Sequence, residues 1–255
     1  MGQAFTMSDV GVSFGGIVAL SGVGLEVEPN QVLGVIGPNG AGKTTLFNVA
    51  CGFVQPDTGR LTWQGRELTG LRPHQLAGLR IGRTLQGLGL FDHMPVLENV
   101  MVGADRHARA GFFSSLLALP RSTKDERSLR ERAMAVLAEL GVAEYAGRLP
   151  SSLPYAIRKR VALARALVSE PELLLLDEPA SGLSNDEMGQ LGDLIKTLTS
   201  RMSVMLVEHH MDLVMSVCDH IVVLDFGKVI ARGGPDEIRN DPAVLAAYLG
   251  EEVAH

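Results

Sequence analysis

Residues 37–45 read Gly37-Pro38-Asn39-Gly40-Ala41-Gly42-Lys43-Thr44-Thr45, and their types and spacing suit phosphate chemistry. Gly37, Gly42, Lys43 and Thr44 fit G-x-x-x-x-G-K-[ST], the P-loop or Walker A motif. In that setting glycines let backbone N–H groups converge on an anion, and a following helix adds positive charge from its N-terminus. Lys43 is placed to reach the β- and γ-phosphates, and the Thr44 hydroxyl to bind Mg²⁺. Further along, the apolar run Leu173-Leu174-Leu175-Leu176 ends in Asp177-Glu178. Acids at the carboxyl end of a buried strand sit where open α/β sheets put their ligands. Asp177 is the expected carboxylate ligand of Mg²⁺. Glu178 is the expected general base for an attacking water, and His209, just past another apolar run, the expected hydrogen-bond donor to the γ-phosphate. Gln86 is a further candidate, either positioning that water or completing the metal shell. A lone Gln is otherwise a solvated polar residue. His210 is an alternative to His209, although continued strand geometry would turn its ring the other way.

These residues need elements to position them. Val32-Leu33-Gly34-Val35-Ile36 reads as a buried strand leading into the loop, and Thr45-Leu46-Phe47-Asn48-Val49-Ala50 as the helix leading out. The pieces 10–14, 20–27 and 61–63 predict an antiparallel sheet punctuated by Gly15-Gly16 and Gln64-Gly65. Phe14 falls in this sheet, and the sequence leaves open whether it is a platform for a nucleotide base or a strand core residue. Residues 91–165 turn helical. Ser122-Thr123-Lys124-Asp125 resembles a capping box, and Leu129, Ala133, Val136, Leu137 and Leu140 keep helical spacing until Gly141. Pro154 suits the first turn of a helix running to Val168. The pattern 221–224, Asp225-Phe226-Gly227, 228–230 predicts a hairpin, and residues 235–250 are helical. The fold class expected is α/β: a P-loop NTPase (RecA-like) core with an antiparallel β subdomain and an inserted α-helical subdomain.

Bulk properties narrow the class. The 255 residues carry a net charge of −6, with 46% hydrophobic and 20% charged residues, ordinary for a globular chain and against a surface dominated by nucleic-acid contacts. No nucleic-acid partner is expected. No secretory signal is visible at the start, and no apolar run reaches the roughly 20 residues that span a bilayer. Membrane association would therefore come through a partner. Cys51 and Cys218 are isolated in apolar surroundings and read as buried small hydrophobes.

The order Phe14, residues 37–45, Gln86, residues 153–157, Asp177-Glu178-Pro179, residues 181–184 and His209 resembles an ATP-binding cassette (ABC) transporter ATPase over the full chain. In that family these positions are the A-loop, Walker A, Q-loop, signature, Walker B with catalytic Glu, D-loop and switch His. The resemblance implies one ABC ATPase domain over 1–255, with 1–90 and 166–255 as core and antiparallel subdomain, and 91–165 as the helical subdomain carrying the signature. It implies ATP and Mg²⁺ as cofactors, membrane permease subunits and a second ABC ATPase subunit as partners, and indirectly an extracytoplasmic solute-binding protein. Its place would be the cytoplasmic face of the cell membrane. Phe14-Gly15-Gly16, Gly82-Arg83-Thr84-Leu85-Gln86, Leu90-Phe91, Gly111-Phe112-Phe113 and Ala247-Tyr248-Leu249-Gly250-Glu251 resemble the LivG-type branched-chain amino acid import subgroup. Urea and amide importers share much of this pattern. Lipid or polysaccharide exporters and soluble ABC-type ATPases are the rival classes.

The sequence departs from the family at two places. The signature, ordinarily Leu-Ser-Gly-Gly-Gln, reads Leu153-Pro154-Tyr155-Ala156-Ile157. Pro154 has neither hydroxyl nor N–H, Ala156 adds a Cβ, and Ile157 lacks an amide. The D-loop ends in Ser184 where the family usually has Asp.

Overall fold

The computed structural model describes residues 4–84, 87–104 and 120–252. The chain divides into two compact units, Met1–Leu76 with Leu173–His255, and Ala77–Glu172.

In the first unit, strands β1 (Phe5–Phe14), β2 (Ile17–Val27), β4 (Thr58–Trp63) and β5 (Arg66–Glu67) form an antiparallel sheet in the order β2-β1-β4-β5. Alternation buries Phe5 and Met7 of β1, and a register shift after Met7 brings Val10 and Val12 inside in turn. Two turns set its registers. Gly15 and Gly16 both have positive φ, as do Gln64 and Gly65, which suits two-residue hairpin turns that match strand twist. Phe14 pairs with Ile17 at the first of them.

The same unit holds β3 (Val32–Ile36), β7 (Leu173–Asp177), β8 (Ser203–Val207), β9 (His220–Asp225) and β10 (Lys228–Gly233), ordered β10-β9-β3-β8-β7. β7, β8, β3 and β9 are parallel, and β10 closes antiparallel on β9. The inner strands are buried almost without interruption, including all of β3 and β8 and Leu173, Leu174, Leu175 and Leu176, whereas β10 at the margin buries only Ala231. Continuous apolar runs are what a sheet covered on both faces requires, and each such leucine contributes roughly 2 kcal/mol. Helices α1 (Lys43–Ala50), α5 (Asn185–Leu198), α6 (Met211–Val217), α7 (Pro235–Arg239) and α8 (Pro242–Glu252) belong to this unit. Ser184, the departed end of the D-loop, caps α5. Its Oγ accepts the Glu187 N–H at 3.4 Å while its own N–H donates to the Glu187 carboxylate at 2.8 Å. The hydroxyl thus has a local task.

The second unit contains β6 (Ile81–Arg83), α2 (Val96–Val102), α3 (Pro120–Glu139) and α4 (Tyr155–Leu167). α2 packs on both α3 and α4. The capping box expected at 122–125 is not a helix start, because residues 120–125 already lie within α3. Gly141 ends the element with φ 67°. Pro154 is the residue before α4 rather than part of its first turn. Gln86, Leu85 and Gly111-Phe112-Phe113 lie outside the described residues.

Candidate nucleotide site

Strand register brings the chemistry to one edge. Val35 of β3 pairs with Val207 of β8, and Val207 pairs with Asp177 of β7. The chain therefore leaves β3 into the P-loop, β7 into Glu178 and β8 into His209 from a single row at the carboxyl end of the sheet. Backbone bonds continue that row: Glu178 N–H donates to Val207 O at 2.8 Å, and Glu208 N–H to Val35 O at 3.3 Å.

The loop is shaped by three glycines with φ of 150°, 77° and 101° at positions 37, 40 and 42. Two of them also make close approaches. A Cβ on Gly37 would lie 2.1 Å from Leu224 O, and one on Gly42 would lie 2.7 Å from Ala19 O. Gly42 precedes α1, whose first residue is Lys43. Lys43 is only 8% exposed, and its Nζ donates to Gly37 O at 2.6 Å and Pro38 O at 2.8 Å. The ammonium thus lies inside the curl of the loop, held by the loop's own carbonyls. Thr44 is exposed on the first turn of α1. A buried ammonium and a glycine turn suit a polyphosphate, and a hydroxyl and a strand-end carboxylate are the oxygen donors that magnesium prefers. Phe14 is 51% exposed, which removes the core reading left open by its sequence.

Burial raises the Asp177 carboxyl to about 6, with Glu178 and Glu208 adding repulsion. A cation bound there would relieve both effects. Glu178 sits at φ 45°, a conformation that costs of order 1 kcal/mol or more for a non-glycine residue. The next turn also has N–H groups to satisfy, and these lead to a residue that sequence reasoning passed over.

That residue is Glu208, which has no solvent exposure. Its Oε2 accepts Ala180 N–H at 3.0 Å. Its Oε1 accepts His209 N–H at 2.9 Å, His210 N–H at 3.3 Å, and faces His210 Nδ1 at 2.8 Å. Burial pushes Glu208 upward, but the His210 ring bond and the three backbone N–H bonds outweigh it and hold the carboxyl below its ordinary value. His209 Nδ1 lies 3.3 Å from Glu208 and 3.8 Å from Glu178. The His210 ring does not turn away: β8 ends at Val207, so strand alternation stops, and the two imidazoles lie 4.1 Å apart. Ligand atoms of Glu208, His209 and His210 gather within 4.8 Å, and Glu208 already faces four donors, three at Oε1 and one at Oε2. The signal for Glu208 was an acid joined to a fully apolar strand.

The signature residues lie in the second unit, with Leu153 buried and Tyr155 exposed at the start of α4. The Arg158 guanidinium and Lys159 ammonium each stand 5.4 Å from the Tyr155 ring centre. A loop of the same unit carries Leu88, Leu90, Phe91 and Met94. Arg165 donates to Gly89 O at 2.5 Å and to Leu88 O at 3.1 Å. Buried Asn99 accepts Phe91 N–H at 2.8 Å and donates to Phe91 O at 3.1 Å and Met94 O at 2.8 Å. Phe91 is left half exposed. Asn99, also missed in the sequence, is betrayed only by its place between apolar Val96 and Val100.

Fold and site together define a P-loop nucleotide-binding protein of the ATP-binding cassette kind. The sequence profile of the ABC transporter family matches residues 20–181, and the branched-chain amino acid ATP-binding cassette transporter profile matches 228–254. The chain is 42% identical over 247 residues to the high-affinity branched-chain amino acid transport ATP-binding protein BraF of Pseudomonas aeruginosa, covering 96% of this chain and 97% of that one. It is 42% identical over 240 residues to LivG of Salmonella typhimurium, a protein of the same description, covering 93% and 94%. A solved ATP-binding cassette of an ABC transporter in its ADP conformation superposes with a TM-score of 0.83 at 30% identity, covering 98% and 99%. The chain belongs to the ABC transporter family and carries its ATP-binding cassette.

Proposed function

We propose that this chain is the ATP-hydrolysing subunit of an importer for branched-chain or related amino acids. The observation that carries the hydrolytic reading is the strand row that sets the P-loop, Asp177-Glu178 and His209 at one sheet edge. The 228–254 match and the described roles of BraF and LivG support the solute class.

In this reading Lys43 and the N–H groups of residues 37–45 hold the nucleotide phosphates, and Phe14 stacks on the base. Thr44 and Asp177, with Gln86 by resemblance, hold Mg²⁺, which supplies charge neutralisation at the phosphate oxygens. Glu178 takes the proton of the attacking water, and His209 donates to the γ-phosphate. The domain plan is 1–90 and 166–255 as core, with 91–165 as the helical lobe. No helix among the described residues is long and apolar enough to cross a membrane. By resemblance to BraF and LivG, the chain attaches to the cytoplasmic face through permease subunits. The pinned loop with exposed Phe91 is the surface offered to them. A solute-binding protein outside the cell delivers the amino acid to the permease.

The partner ATPase is a different chain. A site completed by Leu153-Pro154-Tyr155-Ala156-Ile157 lacks the hydroxyl and N–H at position 154 and the side-chain amide at 157, so a homodimer would carry two weakened sites and a heterodimer one. Single-turnover hydrolysis with and without candidate partners tests this, and full activity of the lone homodimer removes it. Glu178→Gln tests the base: turnover drops by about 10²–10⁴ with nucleotide affinity kept. Hydrolysis at the wild-type rate would take Glu178 out of that role.

A further inference from the structure

The chemistry assigned above uses Glu178 and His209, yet neither explains why a charged carboxylate is enclosed beside them. Glu208 has zero exposure. Enclosing a carboxylate costs several kcal/mol unless donors surround it, and an apolar residue ending β8 would avoid that cost. The donors that surround Glu208 come from two separate segments. Ala180 N–H belongs to the turn that follows Asp177-Glu178, and reaches Oε2 at 3.0 Å. His209 N–H and His210 N–H belong to the exit from β8, and reach Oε1 at 2.9 and 3.3 Å. Between them the segments carry the proposed base and the proposed γ-phosphate donor.

We infer that Glu208 is a positioning residue for hydrolysis, joining the turn after Glu178 to the backbone of His209 so that the two hold one geometry. The inference rests on the ATPase reading of the same site. A carboxylate is the side chain this task needs, because each of its oxygens accepts and neither donates. Glutamine presents only one acceptor. Its NH₂ would face either Ala180 N–H or the His209 and His210 N–H groups, and one of the two ties is lost. His210 completes the arrangement: with Glu208 ionised, its Nδ1 carries the proton and donates across 2.8 Å. The ring then shares Oε1 with the backbone N–H of His209 and lies 4.1 Å from the His209 ring at a tilt of 39°, limiting where that ring can turn.

A merely structural residue would lower stability without favouring one kinetic constant or one neighbour. The test is therefore a double-mutant cycle between Glu208→Gln and His209→Ala, read as single-turnover ATP hydrolysis on the full chain, with ATP affinity and thermal midpoint measured alongside. Glu208→Gln is expected to lower the turnover rate by at least about tenfold with ATP affinity within about threefold. In the His209→Ala background the same change is expected to cost less than about twofold, because residues acting as a unit are non-additive. A wild-type rate for Glu208→Gln, or an equal loss in both backgrounds, overturns the inference. Should Glu208→Gln not fold, His210→Ala replaces it in the cycle. It removes the ring donor and spares the backbone ties, and additivity with His209→Ala overturns the inference equally. Failure of the underlying reading looks different: the unmodified chain with its partner would not hydrolyse ATP, or Glu178→Gln would hydrolyse it at full rate.

Discussion

Among the described residues, Asn99 and Glu208 are the polar side chains with zero exposure, one in each unit. Both hold loops, and they do so with opposite chemistry. Asn99 is neutral and two-sided. It accepts Phe91 N–H and donates to the carbonyls of Phe91, Met94 and Pro95, closing one local loop within eight residues. Glu208 is charged and only accepts, and it gathers N–H groups from segments 28 residues apart. The amide suits a loop that must keep one shape while presenting Phe91. The carboxylate suits a place where chain leaves two parallel strands and N–H groups converge. The same convergence of N–H groups marks the P-loop, where the anion is the ligand rather than a side chain.

Four changes test that contrast. The largest loss of stability is expected for Gly103→Ala, just beyond α2. Its Cβ would fall 1.9 Å from the Arg165 carbonyl oxygen, a backbone atom that cannot step aside, so about 3 kcal/mol is lost in denaturant unfolding. A near-wild-type midpoint would mean that α2, and with it Asn99, is held less firmly than described. Asn99→Ala follows, at about 2–3 kcal/mol, since it strands a buried N–H and several carbonyls. Because the bonds of Asn99 reach only Phe91, Met94 and Pro95, none of which is assigned to chemistry, ATP turnover of the isolated subunit should persist while permease-stimulated turnover falls. Loss of the basal rate instead would erase the distinction between the two loops.

The charge difference has its own signature. Glu208 is held below its ordinary value of 4.5, so its contribution is present above that pH and is lost as pH falls through the depressed value. Glu208→Gln should therefore make the acid side of the stability curve shallower, by up to about 1.4 kcal/mol per pH unit, and Asn99→Ala should leave that slope alone. Matching slopes for wild type and Glu208→Gln would mean that the fold does not depress the titration of this carboxyl. The smallest effect is expected for Ser184→Ala, about 1 kcal/mol from the lost cap of α5, measured by thermal unfolding. A large fall in ATP turnover without loss of stability would give Ser184 a role beyond the cap.

Much of the architecture follows from local pattern. The leucine run at 173–176 could only be an enclosed strand or a buried helix segment, and the acids behind it favoured the strand. Glycine pairs and Asp225-Phe226-Gly227 marked the hairpins because few residues tolerate positive φ. The cap read at 122–125 was misplaced because Ser122 and Asp125 have the residue types of a capping box while the chain there is already helical. Glu208 was passed over because an acid closing an apolar strand does not say by itself which N–H groups of the chain will meet it.

The sequence by itself determined the loop that curls around Lys43, the strand that feeds it, and the acids at the end of β7, since glycine spacing and apolar runs act over a few residues. Only the tertiary structure decided which strands are neighbours, and so that Val35, Val207 and Asp177 share one row. It also decided the enclosure of Glu208, because burial and the convergence of N–H groups depend on segments distant in the chain meeting at one point.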